Sequence, residues 1–231
     1  MSKLSQNYLN KINKILNKIL KEEEHKILEC AKLIYDSYKK GGQLYIFGTG
    51  HSRLLGEEAF HRAGGFAAAC PIRDDNLTFK KGATKATSLE RTPNIARKAL
   101  QKYKITKKDV LMVVSNSGVN HAPVEAAMIA KERGIKSIAL TSIKYSKKAP
   151  LSKLNKKLYE LVDIFIDNKI PPGDTIIKIN KFSVGPASTI TGSFILNLIL
   201  IEVASMLKTE KIFPFYISSN MPNATKNNNN L

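Results

Sequence analysis

Val110-Leu111-Met112-Val113-Val114-Ser115-Asn116-Ser117-Gly118-Val119-Asn120 is the stretch that decides the fold. Five consecutive apolar residues, mostly β-branched, read as a strand buried on both faces, and such strands belong to parallel sheets covered by helices. The four that follow, Ser115-Asn116-Ser117-Gly118, are turn formers, and helical spacing resumes near 121–133. Strand, tight polar turn and helix form the unit from which doubly wound α/β sheets are built.

The same unit recurs on either side. Upstream, Gly41-Gly42 leads into the apolar run Leu44-Tyr45-Ile46-Phe47, and Gly48-Thr49-Gly50 leads out of it into a helix over 51–63. Gly64-Gly65 stops that helix, and Phe66-Ala67-Ala68-Ala69 reads as the next strand. Residues 71–87 are polar and irregular, and 88–103 regain helical spacing. Downstream, Gly134 closes a helix, and Ser137-Ile138-Ala139-Leu140-Thr141 and Ile164-Phe165-Ile166 read as strands separated by a lysine-rich loop over 144–157. Pro171-Pro172-Gly173 is a turn, 175–179 a short edge strand, 188–208 a strongly apolar helix, and Phe215-Tyr216-Ile217 a last strand.

Residues 4–39 carry Leu4, Tyr8, Ile12, Ile15 and Ile19, then Ile27, Ala31, Ile34 and Tyr38, at helical spacing around the charged break Lys21-Glu22-Glu23-Glu24-His25. One long helix and two consecutive ones both fit. The expected organisation is a helical segment over 1–40 packing on the domain or on a dimer partner, one α/β domain over 41–221, and a disordered tail over 222–231.

Composition narrows the function classes. At 231 residues, 43% hydrophobic and 24% charged, the chain reads as one soluble globular domain. No uninterrupted apolar stretch reaches the roughly 18 to 20 residues of a membrane span, and the start of the chain lacks the apolar core of a signal peptide. Cys30 and Cys70 lie far apart, outside any disulfide framework or zinc spacing, which points to the cytoplasm. The net charge of +18 raises nucleic-acid binding, but only six of the 37 basic residues are Arg, the Lys are scattered, and aromatics make up 7%. Neither a nucleic acid nor a membrane is expected as partner. The field serves better to draw in small anions.

In doubly wound sheets, ligands sit beyond the carboxyl ends of the strands. Three helix-opening turns here are rich in glycine and hydroxyls: Gly48-Thr49-Gly50-His51-Ser52, Ser115-Asn116-Ser117-Gly118-Val119-Asn120, and Gly185-Pro186-Ala187-Ser188-Thr189-Ile190-Thr191-Gly192. Each offers free N–H groups at a helix start, the ordinary seat of a phosphate. No Walker Lys follows any of them, and the first lacks the third glycine of a dinucleotide fingerprint.

These turns resemble those of the sugar isomerase (SIS) domain proteins, over about residues 30–210. Phe47-Gly48-Thr49-Gly50-His51-Ser52 looks like the family's first phosphosugar loop, Ser115-Asn116-Ser117-Gly118 like its Ser-x-Ser-Gly signature, and Ala187-Ser188-Thr189 like its hydroxyl-rich helix start. Gly-Thr-Gly-His-Ser, Glu-Glu with Arg-Ala-Gly-Gly, Ser-Asn-Ser-Gly and Gly-Pro-x-Ser-Thr together are similar to a bacterial subgroup labelled UPF0309. The resemblance implies a flavodoxin-like SIS fold, a sugar phosphate as ligand, and a homodimer or homotetramer. It also implies that Ser52, Ser115, Ser117 and Asn120 hold the phosphate, with Gly50 and the backbone of Asn116 and Gly118, and that Ser188 and Thr189 meet the sugar or the same phosphate.

Isomerisation, or elimination beside a sugar carbonyl, needs a base and an acid. Glu58 is the expected base, with His51, His61 or Glu90 assisting. Sedoheptulose-7-phosphate isomerases carry a His where Glu58 stands, so their zinc ligation is not carried over. Glu58-x-x-His61 is a lone pair, and neither a metal nor another cofactor is expected. The reading is a phosphosugar isomerase or lyase/etherase, with a non-catalytic phosphosugar sensor as the alternative.

Overall fold

Five parallel strands make the central sheet of the computed structural model, which describes residues 2–231. They are β1 (Leu44–Gly48), β2 (Ala69–Pro71), β3 (Val110–Val114), β4 (Lys136–Thr141) and β5 (Ile164–Asp167), in the order β2-β1-β3-β4-β5. The order reverses between β1 and β3, where the chain leaves one half of the sheet for the other. That switch point opens a crevice at the carboxyl edge. Gly48 pairs with Val114, so the turns leaving β1 and β3 start side by side.

Strand periodicity sorts β3 onto two cores: Val110, Met112 and Val114 face one side, Leu111 and Val113 the other. The first side is covered by α1 (Lys3–Lys39), α2 (Leu54–Ala59) and α7 (Ser188–Leu207). The second carries α3 (Ala83–Leu89), α4 (Ile95–Leu100) and α5 (His121–Arg133), the last two packed through Ala96, Ala99, Ala126 and Ala130. The buried Glu125 carboxylate accepts the amides of Asn94 and Ala96 at 2.9 Å each, capping α4 from a neighbouring helix.

The N-terminal segment is one helix, about 55 Å long. Its charged centre does not break it, because buried Glu23 pairs with Lys169 beyond β5, and Lys169 also lies 3.2 Å from Glu22 and 3.3 Å from Asp167. Burial disfavours the Lys169 charge, but these carboxylates outweigh it and raise its pKa. Near its start, Tyr8 donates to the Pro186 carbonyl at 2.8 Å and Lys11 to that of Ile176 at 2.7 Å. Both carbonyls belong to a hairpin of β6 (Thr175–Ile179) and β7 (Phe182–Pro186).

Several expectations are corrected. The helix expected over 51–63 is a 3-10 turn, Gly50–Arg53, followed only by α2, because residues 64–67 are drawn off to bond Pro214 and Tyr216. For the same reason Phe66 forms only a bridge with Phe215, and the strand starts at Ala69; 215–217 is not a strand. The helix expected over 88–103 is divided, since Pro93 disfavours a helical Thr92 and Asn94 turns left-handed at φ +61°. Thr175–Ile179 pairs with Phe182–Pro186 outside the sheet, reversed by left-handed Asn180 at φ +54°. The lysine-rich loop contains α6 (Ile143–Lys148), and the tail contains α8 (Ala224–Asn228), where Asn228 exchanges hydrogen bonds with the Ile217 backbone. By length and composition α7 is long and apolar enough to cross a membrane; Ile195, Leu196, Ile199 and Val203 are buried in the first core.

Candidate functional site

A cavity of about 370 Å³ opens at the switch point. Thr49, His51 and Ser52 reach it from the turn after β1, and Ser115, Asn116, Ser117 and Asn120 from the turn after β3. Ser188 and Thr189 arrive from the start of α7, Tyr145 from α6, and Glu90 and Asp174 complete the wall.

Two glycines make the turns. Gly48 packs its α-carbon on the Ser52–Arg53 peptide, and a Cβ there would stand 2.6 Å from the Ser52 carbonyl carbon. Gly118 is left-handed at φ +59°, and a Cβ would lie 2.8 Å from Thr141 Oγ1. Between them the signature turn is held from behind. The Ser115 amide continues the ladder to Leu140, the Gly118 amide donates to Ser115 Oγ at 3.2 Å, and Asn168 donates to Asn116 Oδ1 at 2.7 Å. Ser117, Ser52 and Thr189 bring further hydroxyls to the cavity.

Glu90 ends α3 rather than opening a helix. One carboxylate oxygen accepts from Thr49 Oγ1 at 2.9 Å and the other from the Asn120 amide group, so Glu90 spans the two turns. Its own carbonyl accepts the Ala122 amide at 3.0 Å, fixing the backbone as well. Asp174, left-handed at φ +68°, occupies the start of α7. Its carboxylate accepts the Ala187 amide at 3.1 Å, the Ser188 amide at 2.8 Å and the Ser188 hydroxyl at 2.6 Å. His51 is exposed on the rim, its ring 5.0 Å from that of Phe79. Neither Lys nor Arg is among the lining residues, so an anion here would be met by neutral donors at the helix starts of α5 and α7.

The SIS domain pattern matches residues 7–142. The chain belongs to the SIS domain family. Over its full length it is 37% identical to UPF0309 proteins of Brucella canis and Brucella abortus, covering 96% of each. Its fold is similar to that of a phosphoheptose isomerase from Francisella tularensis, at TM-score 0.58 and 15% identity over 89% of this chain and all of that one. It is similar also to the sugar isomerase domain of an RpiR transcription factor from Sphaerobacter thermophilus, at TM-score 0.57 and 16% identity over 89% of this chain and 92% of that one.

This SIS domain gathers nine of the residues singled out from sequence into one cavity: His51, Ser52, Glu90, Ser115, Asn116, Ser117, Asn120, Ser188 and Thr189. Gly50 and Gly118 shape the turns without lining it. Glu58 and His61 stand elsewhere. Glu58 pairs with Arg62 four residues on, past the end of α2, and the exposed His61 packs edge-on to Tyr216 at 4.7 Å. The early end of α2 at Ala59 puts His61 beyond the helix that was to align the two. Among the described residues, no three His, Cys, Asp or Glu side chains gather as a metal-binding group. Asp174 was not anticipated; the turn Pro171-Pro172-Gly173 just before it was the available signal. Thr49, inside a glycine turn that was recognised, was also passed over.

Proposed function

We propose that the chain is a cytoplasmic phosphosugar enzyme, an isomerase or a lyase/etherase, in which Glu90 moves the proton. The observation that carries this reading is the position of Glu90, a carboxylate fixed by Thr49 and Asn120 between the two turns of the switch-point cavity. Asp174, the other carboxylate of the wall, is already engaged at the start of α7. Glu90 therefore replaces Glu58 as the base.

Membership of the SIS domain family supports a phosphosugar ligand. Its phosphate sits against the 115–118 turn, Ser52 and Thr189, where helix starts and hydroxyls favour negative charge. The Glu90 carboxylate then takes the proton from the carbon beside the sugar carbonyl. The electron pair moves to the carbonyl oxygen, which takes a proton from Tyr145 or His51, both of which line the cavity. Returning the Glu90 proton to the former carbonyl carbon, while the hydroxyl on the deprotonated carbon gives its proton back to Tyr145 or His51, exchanges aldose and ketose. If instead the enol oxygen returns its proton to Tyr145 or His51 and the carbonyl re-forms, the substituent on the next carbon is expelled and takes the Glu90 proton, which is elimination.

The test is turnover of a panel of aldose and ketose phosphates. Glu90→Gln should cut kcat by about 10²- to 10⁴-fold while ligand-dependent thermal stabilisation persists. Wild-type turnover in that variant overturns the assignment. Stabilisation by a sugar phosphate with no turnover of any of the panel selects the alternative, a non-catalytic sensor acting on a partner protein.

A further inference from the structure

A second hollow, of about 400 Å³, lies past the end of β2 on the other flank of the Gly50–Arg53 turn. Its floor is apolar, with Ile72 and Leu77 both buried, and its walls are charged. Each carboxylate of the wall has a cation of its own. Glu57 accepts Arg73 through both oxygens, at 3.0 and 2.7 Å, and Asp74 is paired with Lys102 at 2.6 Å. Asp75 is taken by Lys80 at 2.7 Å, from outside the lining.

Arg53 is the cation left over. It lines the hollow, and its Nε–H is buried without a hydrogen-bond partner. A guanidinium stays charged at every working pH and carries only donors, so it cannot satisfy itself by losing a proton or by rotating. Among the described residues no hydrogen bond or ion pair engages the rest of its guanidinium either, which leaves it free to take an acceptor that enters the hollow. The nearby Glu57 oxygens are already shared with Arg73, whose hydrogen bonds hold the Glu57 carboxyl below its ordinary range, with Arg53 adding to the effect.

We propose that this hollow binds a small organic anion, its carboxylate or phosphate group taken by Arg53 and its carbon body laid on Ile72 and Leu77. The apolar floor and the volume favour an anion with a carbon skeleton over a bare inorganic ion. The site stands apart from the sugar-phosphate reading of the first cavity, since it shares none of that cavity's lining residues.

The Arg53 Nε–H is its own reporter in ¹⁵N–¹H correlation spectra of the full chain. Succinate and glycerol phosphate are titrated separately, against sodium chloride at matched ionic strength. The resonance should move downfield and saturate with at least one of the two, and which one identifies the anionic group. Arg53→Lys should weaken that saturable response, followed at neighbouring backbone amides, by about tenfold or more, because the planar fork is lost while the charge remains. Ser117→Ala, in the first cavity, should leave the response in place. A resonance unmoved by both compounds, or moved equally by chloride, means a buried water or simple screening and overturns the proposal. So does an undiminished response in Arg53→Lys; should that variant not fold, the wild-type resonance alone decides.

Discussion

The Thr49 hydroxyl donates to Glu90 at 2.9 Å and ties the turn after β1 to the end of α3. Thr49→Val keeps the shape and removes the donor. One hydrogen bond to a charged group contributes about 1.5 to 3 kcal/mol, so kcat on the identified sugar phosphate should fall about 10- to 100-fold. Because Glu90 takes no part in seating the phosphate, KM should change little. Steady-state kinetics separate the two effects, and an unchanged kcat would mean that Thr49 does not orient the base.

Gly118 offers a cleaner structural test. Alanine there must hold φ near +59° with its Cβ 2.8 Å from Thr141 Oγ1 and 3.2 Å from Leu158 Cβ. The left-handed backbone alone costs about 1 to 2 kcal/mol, which in a domain of this size lowers Tm by about 2 to 8 °C. Thermal denaturation followed by circular dichroism reads this directly. An unshifted Tm would show that the turn can relax.

Three carboxyls sit below their ordinary range. In Glu57 the Arg73 hydrogen bonds are the cause. In Asp74 and Asp163 burial pushes upward but is outweighed, by Lys102 and the Asn76 amide in one and by Lys136 and the Ser137 amide in the other. With the folded pKa below the unfolded one, the unfolded chain binds more protons in between. The stabilisation is therefore present above about pH 4 and is lost as pH falls through the lower folded values. Urea midpoints should hold steady from neutrality to about pH 5 and drop below about pH 4. Asp163→Asn should lower the midpoint at neutrality and make the acid fall shallower.

On α7, Ile190 and Ile201 are exposed on one stripe with half-buried Phe194 between them. This stripe is our candidate for the contact that holds the expected homo-oligomer. Ile201→Lys should then reduce the mass in light scattering toward the 25.6 kDa of a single chain. A wild-type protein already at that mass would remove the expectation.

The parts legible in sequence were those governed by local rules. The all-apolar run of β3 and the Ser-x-Ser-Gly turn carry their period and their turn chemistry within eleven residues, and both stand where they were expected. Glu58 and His61 were misplaced because the end of α2 is set from afar. Gly64 and Gly65 pair with Tyr216, more than 150 positions away, and no local pattern announces that. Asp174 was missed for a related reason. Its value as a cap depends on the hairpin that brings it back to Ser188, 14 residues on, and a lone Asp after Pro-Pro-Gly reads only as turn chemistry.

The hydrogen bond from Tyr8 to Pro186 joins residues 178 positions apart. Synthesis makes the first turns of α1 more than 160 residues before their docking surface, the hairpin leading to Ser188. Until Ile170 and that hairpin emerge, Tyr8 and Ile12 lack the partners of their cluster. Closing so long a loop adds little to the equilibrium cost but slows the search, so this contact is expected to form late. The cavity wall at Asp174 and Ser188 would then be finished by a helix made long before it.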